Sequence, residues 1–165
     1  MMDNYNEFYN IIDEVLTVDK FQEMKNIPHH GITRYDHLMR VSYYSYLICK
    51  KLHLNYREAA IGGLLHDFFT TELADSNSLK ALVKHPKCAL NNADKYFTLT
   101  DREKDIIRAH MFPVTIQPPK YLESWIVDMV DNGAAIYEKG NGMKKELKTV
   151  ATFLLILFIN IMKFR

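Results

Sequence analysis

Ala59-Ala60-Ile61-Gly62-Gly63-Leu64-Leu65-His66-Asp67 is the stretch on which the reading of this chain turns. Asn55-Tyr56-Arg57-Glu58 has capping-box spacing just ahead of it. The apolar run is therefore expected to be a helix that ends near Asp67. A histidine and an aspartate side by side diverge by about 100° on a helix, and at its end they can flank one cation. Neutral imidazole and carboxylate suit Fe, Mn, Zn or Mg better than soft metals. Alone, such a pair is commonly a helix-end histidine beside a solvated acid. Here His37 lies 29 residues upstream, His85 and His110 follow at intervals of 19 and 25, and Asp131 comes 21 later. Each falls within or at the start of an expected helix, so together they read as a metal site assembled from several helices.

The rest of the chain supports an all-α architecture. Tyr5, Phe8, Tyr9, Ile12, Val15 and Leu16 recur at helical spacing over residues 3–17. Ile27-Pro-His-His-Gly31 is a break. Thr33-Arg-Tyr-Asp36 has the capping pattern and opens a helix to about Lys51. Residues 70–77 read as a loop. Pro86 fits a first helical turn, which would make His85 the cap of a helix to about Phe97. Thr100-Asp-Arg-Glu103 is a third capping box, with His110 near the end of its helix. Pro113 and Pro118 stiffen a connector, and Pro119 is expected to start a helix through Trp125 to about Glu138. Gly140 and Gly142 punctuate before a last helix from about Lys144 to Met162. No sustained alternation suggests a strand. The expectation is a bundle of about seven or eight helices: an N-terminal helix in residues 1–26, the metal-binding domain in 27–140 and an apolar C-terminal helix in 141–165.

At 165 residues the chain is long enough for one domain with a real core. A formal charge of +1 argues against a protein that coats nucleic-acid polymers. Only two cysteines occur, Cys49 and Cys88, so no disulfide framework is implied and a reducing cytoplasm fits. The polar, acidic start Met1-Met-Asp-Asn-Tyr-Asn-Glu7 does not read as a signal peptide. There is no G-x-S-x-G elbow, Walker loop or G-x-G-x-x-G. Serine nucleophiles, ATP-driven work and dinucleotide redox chemistry thereby lose support.

The pattern His37, His66-Asp67, Asp131 resembles the HD superfamily of metal-dependent phosphohydrolases, as do Thr33-Arg-Tyr-Asp-His-Leu-Met-Arg-Val41 and the stretch from Ala59 to Asp67. With His85 and His110 added, the chain is similar to the six-ligand subset that includes bacterial symmetrical diadenosine tetraphosphate hydrolases and cyclic-dinucleotide phosphodiesterases. The ligand spacing is closer to the first group. This resemblance implies an HD-domain helical bundle over roughly residues 27–138. It implies His37, His66, Asp67, His85, His110 and Asp131 as metal ligands, with His66 and Asp67 central to catalysis. His37, His66, Asp67 and Asp131 would converge on one ion, with Asp67 able to bridge to a second. Asp128, one turn before Asp131, competes with it, although Asp131-Asn-Gly-Ala134 fits the family pattern better. Two divalent ions are implied, Fe or Mn first, with Zn, Mg or Ni as alternatives. Such a pair activates a water and clamps phosphoryl oxygens.

The expected substrate is a phosphorylated small molecule, with nucleotides as the leading class. Alternatives are a cyclic or linear dinucleotide, or a catalytically weak module that senses a nucleotide through the same site. One departure bears on this. Many family members carry lysine three residues after the Asp, where Thr70 stands here. Phosphate charge would then be met by Arg34, Arg40, Lys84 or Arg108, with Thr70 offering one hydroxyl. His30 is a candidate to line the cleft, His29 carries a weaker case, and His53 is expected to be exposed.

The run Val150 to Met162 is 13 residues with only Thr152 and Asn160 polar. As a helix it would span about 20 Å, short of the roughly 30 Å hydrocarbon core of a membrane. It is expected to pack within the domain or form a homodimer interface. The alternative is a short membrane anchor flanked by Lys144, Lys145, Lys148, Lys163 and Arg165.

Overall fold

The computed structural model describes residues 2–29, 31–69 and 79–139. Thr70, His30 and the C-terminal apolar run lie outside them. The described residues form seven α-helices: α1 (Met2–Leu16), α2 (Asp19–Gln22), α3 (Arg34–Lys51), α4 (Tyr56–Leu65), α5 (Leu79–Ala93), α6 (Asp101–Ala109) and α7 (Leu122–Lys139). A single 3-10 turn, Glu23–Asn26, follows α2. Among the described residues the one departure from all-α structure is a ribbon of two-residue strands, β1 (Pro28–His29) and β2 (Ile32–Thr33), paired antiparallel with Pro28 opposite Thr33. Two residues are too few to show alternation, so the sequence pattern could not reveal it. Gly31, at φ 90°, makes its turn in a region that disfavours side chains.

Helix α4 is the axle of the bundle. Ala59, Ala60, Gly62, Gly63, Leu64 and Leu65 are all buried, as a helical stretch apolar all round, here everything after Glu58, must be. One side of it faces α1, where Phe8, Ile11, Ile12 and Val15 join Leu64, Leu65 and Phe68 in the larger core. On another side, Ala59 packs with Val41 and Cys49 of α3, Ile106 of α6 and Ile126 and Val127 of α7. Two glycines permit these contacts. A Cβ on Gly63 would stand 3.2 Å from the Cα of Ser42, and one on Gly62 would stand 2.8–2.9 Å from the side chain of Ile106. Ser42 adds a hydroxyl donated to the Ala60 carbonyl at 2.7 Å. The helices can therefore approach closely, and α4 ends between α3, α6 and α7.

Helix starts follow the sequence signals. Thr33 caps α3 by accepting from the Asp36 amide at 3.1 Å. Asn55 caps α4 by accepting from the Glu58 amide. Thr100 and Glu103 form the full reciprocal box of α6. Two proline readings need correction. Pro86 lies inside α5 rather than at its start, so His85 sits mid-helix instead of capping. An interior proline removes one backbone hydrogen bond and costs about 3 kcal/mol, which tertiary contacts from this helix must offset. Pro119 does not start α7, which begins at Leu122. Asp105 holds the connector instead, accepting from the Lys120 amide at 2.8 Å and the Ser124 hydroxyl at 2.7 Å. Cys49 and Cys88 are both free thiols on helices. Among the described residues no helix is long and apolar enough to cross a membrane.

The Gly62 approach is directly testable. Gly62→Ala should lower the urea midpoint, because overpacking of about 1–3 kcal/mol outweighs a helix-propensity gain of roughly 0.5–1 kcal/mol. An unchanged or higher midpoint would show that Ile106 repacks without cost.

Candidate metal centre

Four helices and the residues after α4 bring one group together. His37 comes from the second turn of α3. His66 is the C-cap of α4, and Asp67 follows it. His85 projects from mid-α5, His110 is the C-cap of α6, and Asp131 lies in α7. His37, His66, Asp67, His85 and His110 are all at least nine-tenths buried. The ligand-capable atoms fall into two trios, His37/His66/Asp131 and Asp67/His85/His110, each with its atoms within 4.8 Å of one another. The His66 and His110 rings, 4.9 Å apart, lie where the trios meet. Asp67 thus groups with His85 and His110 rather than with the three residues expected to share its ion.

The protons in this cluster are few, and their positions follow from the partners. His66 Nδ1 donates to the Gly63 carbonyl and His110 Nδ1 donates to the Ile107 carbonyl, each at 2.8 Å. A carbonyl can only accept, so both neutral rings present a lone pair at Nε2. His37 Nδ1 sits 2.9 Å from Glu138 Oε2 and its Nε2 sits 2.9 Å from Asp131 Oδ1. With Nδ1 donating to Glu138, His37 Nε2 also faces a carboxylate with a lone pair. His85 Nε2 and His110 Nε2 are 2.8 Å apart. Asp67 Oδ1 lies 3.3 and 3.4 Å from those two nitrogens. His66 Nε2 and Asp67 Oδ1 are buried without a hydrogen-bond partner. So many inward-facing acceptors repel one another unless histidines protonate or cations enter. The donor set, imidazole nitrogen and carboxylate oxygen with no sulfur, fits a borderline or hard divalent ion.

In the absence of metal the charges sort accordingly. Burial opposes a charge on His37, yet Asp131 and Glu138 raise it to about 9. Burial also opposes charge on His110, while Asp67 raises it. Burial would push the two aspartates up, but His110, His85 and His66 hold Asp67 well below the usual range. His66 and His37 do the same for Asp131. Asp128 behaves differently: burial and the neighbouring Asp131 raise it to about 7. Its side chain meets the Asn132 amide rather than either trio. The two acids that compete in the sequence are therefore separated by their surroundings.

Sequence reasoning missed Glu138 and gave little weight to His29. Glu138 is buried beside His37 and also pairs with Arg40. Its signal was present, because it stands seven residues after Asp131 and so shares its helix face. His29 belongs to the β ribbon, where no periodicity marks it. Its ring centroid is 4.4 Å from that of His37, and His29, His37 and Glu138 form a further compact group.

The basic residues divide. Arg34 is buried, donates from Nη1 to the Phe69 carbonyl at 2.8 Å and stacks 4.0 Å from the Phe69 ring centroid. That ring also lies 5.6 Å from the ring of His85. Arg34 also feels the charge of Asp67, while its burial works against its own. Arg40 is engaged by Glu138. Arg108 is engaged by Asp105 and Gln117, facing the connector rather than the trios. Lys84 is exposed, as is His53.

The family model described as HD domain matches residues 34–151. No curated protein and no solved structure gives a significant match to the chain.

Metal-free protein should carry a pH signature of this cluster. Raised Asp128 favours the folded state only while protonated, so its contribution fades from about pH 4 to about 7. Raised His37 stabilises fully below about pH 6.5 and loses that contribution as pH climbs through about 9. Chelator-treated protein should therefore keep losing stability between pH 7 and 9, and Asp131→Asn should flatten that interval. A flat wild-type profile there would contradict the His37 environment.

Proposed function

The chain belongs to the HD-domain family, and on that premise we propose that it is a metal-dependent hydrolase of a phosphate ester or anhydride in a small molecule, with nucleotides as the leading substrate class. The observation that supports this best is the pair of buried His/Asp trios. The outer nitrogens of His66 and His110 are tied to carbonyls and that of His37 to a carboxylate, and the inner atoms of the trios converge. In this reading His37, His66 and Asp131 hold one divalent ion, while Asp67, His85 and His110 hold a second. Fe or Mn is favoured, with Zn, Mg or Ni as alternatives.

Divalent ions bound there supply Lewis acidity, lowering the pKa of a water and drawing charge from phosphoryl oxygens. The chain's own residues do the rest. The Gly63 and Ile107 carbonyls and Glu138 fix which nitrogen of His66, His110 and His37 faces inward, and fixing a ligand's tautomer and orientation raises metal affinity. Asp67 and Asp131 bring the negative charge that keeps cations in a buried place. Arg34, stacked on Phe69 beside His85, is the best placed of the basic candidates to meet a phosphate. Its Nε is buried without a hydrogen-bond partner, so one donor direction is unused. Guanidinium suits phosphate because its donors lie in one plane. Substrate hydrolysis in this scheme needs no side-chain nucleophile.

Elemental analysis of protein purified without chelator, followed by a phosphate-release screen over mononucleotides and dinucleoside polyphosphates, tests the reading. Two metal equivalents and turnover are expected. Asp67→Asn should lower turnover by at least about 100-fold, beyond the usual range for residues that only support ligands. Arg34→Gln should retain metal and raise KM roughly 10- to 100-fold, from loss of a charge-assisted bond of about 1.5–3 kcal/mol. Metal with tight nucleotide binding and no turnover would replace the enzyme with a sensor.

A further inference from the structure

Helix α7 turns an unusual face outward. Leu122, Trp125, Met129, Ile136 and Tyr137 are each 39–57% exposed. With Asn132 and Gly133 they share one side of the helix at 3.6-residue spacing. No charged residue lies among them, whereas the outer face of a packed helix is normally polar or charged. Beside this face is a groove of about 510 Å³ between Arg40, Tyr44 and Ile48 of α3 and Val130, Ala134 and Tyr137 of α7. Gly133 also lines it. A mid-helix glycine costs about 1 kcal/mol against alanine. Within the described residues a Cβ there would meet nothing within 4 Å, so no described neighbour requires that glycine.

We propose that this face is the seat of the chain's own apolar run, Val150 to Met162. Three observations favour it over other occupants. The stripe from Leu122 to Tyr137 spans about 22 Å, and a 13-residue helix spans about 20 Å. The groove lies at the C-terminal end of α7, where the chain leaves at Lys139 with ten residues, 140–149, before the run begins. Gly140 and Gly142 are suited to a reversal. So short a tether gives the run a millimolar effective concentration at this face. A second copy must compete with that. A membrane anchor would have to cross roughly 30 Å with a run that reaches about 20 Å. The bare Gly133 backbone would then let the incoming segment approach α7 closely.

Trp125 is the only tryptophan and lies on this face, so its fluorescence in the full-length chain reports the occupant. In monomeric protein, checked by sedimentation, iodide should quench Trp125 several-fold less than it quenches free N-acetyltryptophanamide. The full-length double substitution Leu154→Asp with Phe158→Asp should raise quenching several-fold and shift emission to the red. Gly133→Arg, which places a charge in the groove without touching the run, should do the same and covers the case in which the double variant does not fold. Free quenching in the wild-type monomer would overturn the proposal. Protection that appears only as the protein dimerises would assign the face to a second copy. Protection that appears only with phosphatidylglycerol vesicles would assign it to a membrane. Either result overturns docking within one chain.

Discussion

Buried acceptor atoms facing one another without enough protons are the constraint on which this structure depends. His66 Nε2 and Asp67 Oδ1 have no hydrogen-bond partner, while His110 Nε2 is paired with His85 Nε2 at 2.8 Å. Burying polar atoms this way is unfavourable unless charge of the opposite sign compensates. Protonated histidines can do so in metal-free protein, His37 up to about pH 9, and divalent cations can do so where the imidazoles are neutral. The fold is arranged to hold this group in place. From Ala59 onward helix α4 is apolar all round and surrounded, and its two glycines let α3 and α6 come close enough for His37, His66 and His110 to share one locus.

Much of this was legible in the sequence because the signals are local. Capping residues Thr33, Asn55 and Thr100 mark helix starts through bonds made within one turn. His66-Asp67 at the end of an apolar run marks a helix end enclosed by others. Misreadings came where tertiary structure overrides a local preference. Pro86 is favoured at a helix start, yet α5 continues through it. Pro119 likewise yields to Asp105, which ties the connector before α7 begins. The β ribbon is too short to write a pattern. The division of six residues into two trios depends on where helices cross, which spacing along the chain does not encode. Glu138 was recoverable from its seven-residue offset to Asp131, whereas His29 reaches His37 only through the ribbon.

The same geometry ranks the basic residues, which the sequence left equal. Arg40 is committed to Glu138 and so to the orientation of His37. Arg108 is committed to Asp105, and Lys84 faces solvent. Arg34 alone among these four is buried next to a ring that also touches a site histidine. With threonine at position 70 in place of lysine, a guanidinium from the start of α3 is a chemically different way to meet phosphate. It is planar, permanently charged and pre-oriented by stacking.

The most direct measurement is anomalous diffraction from crystals grown with Mn²⁺, recorded at a wavelength where manganese scatters strongly. The account predicts two peaks, one between His37, His66 and Asp131 and the other between Asp67, His85 and His110, with bonds of roughly 2.0–2.3 Å to nitrogen and oxygen. A map with no peak at either trio, from protein whose nucleotide hydrolysis survives exhaustive chelation, would contradict it.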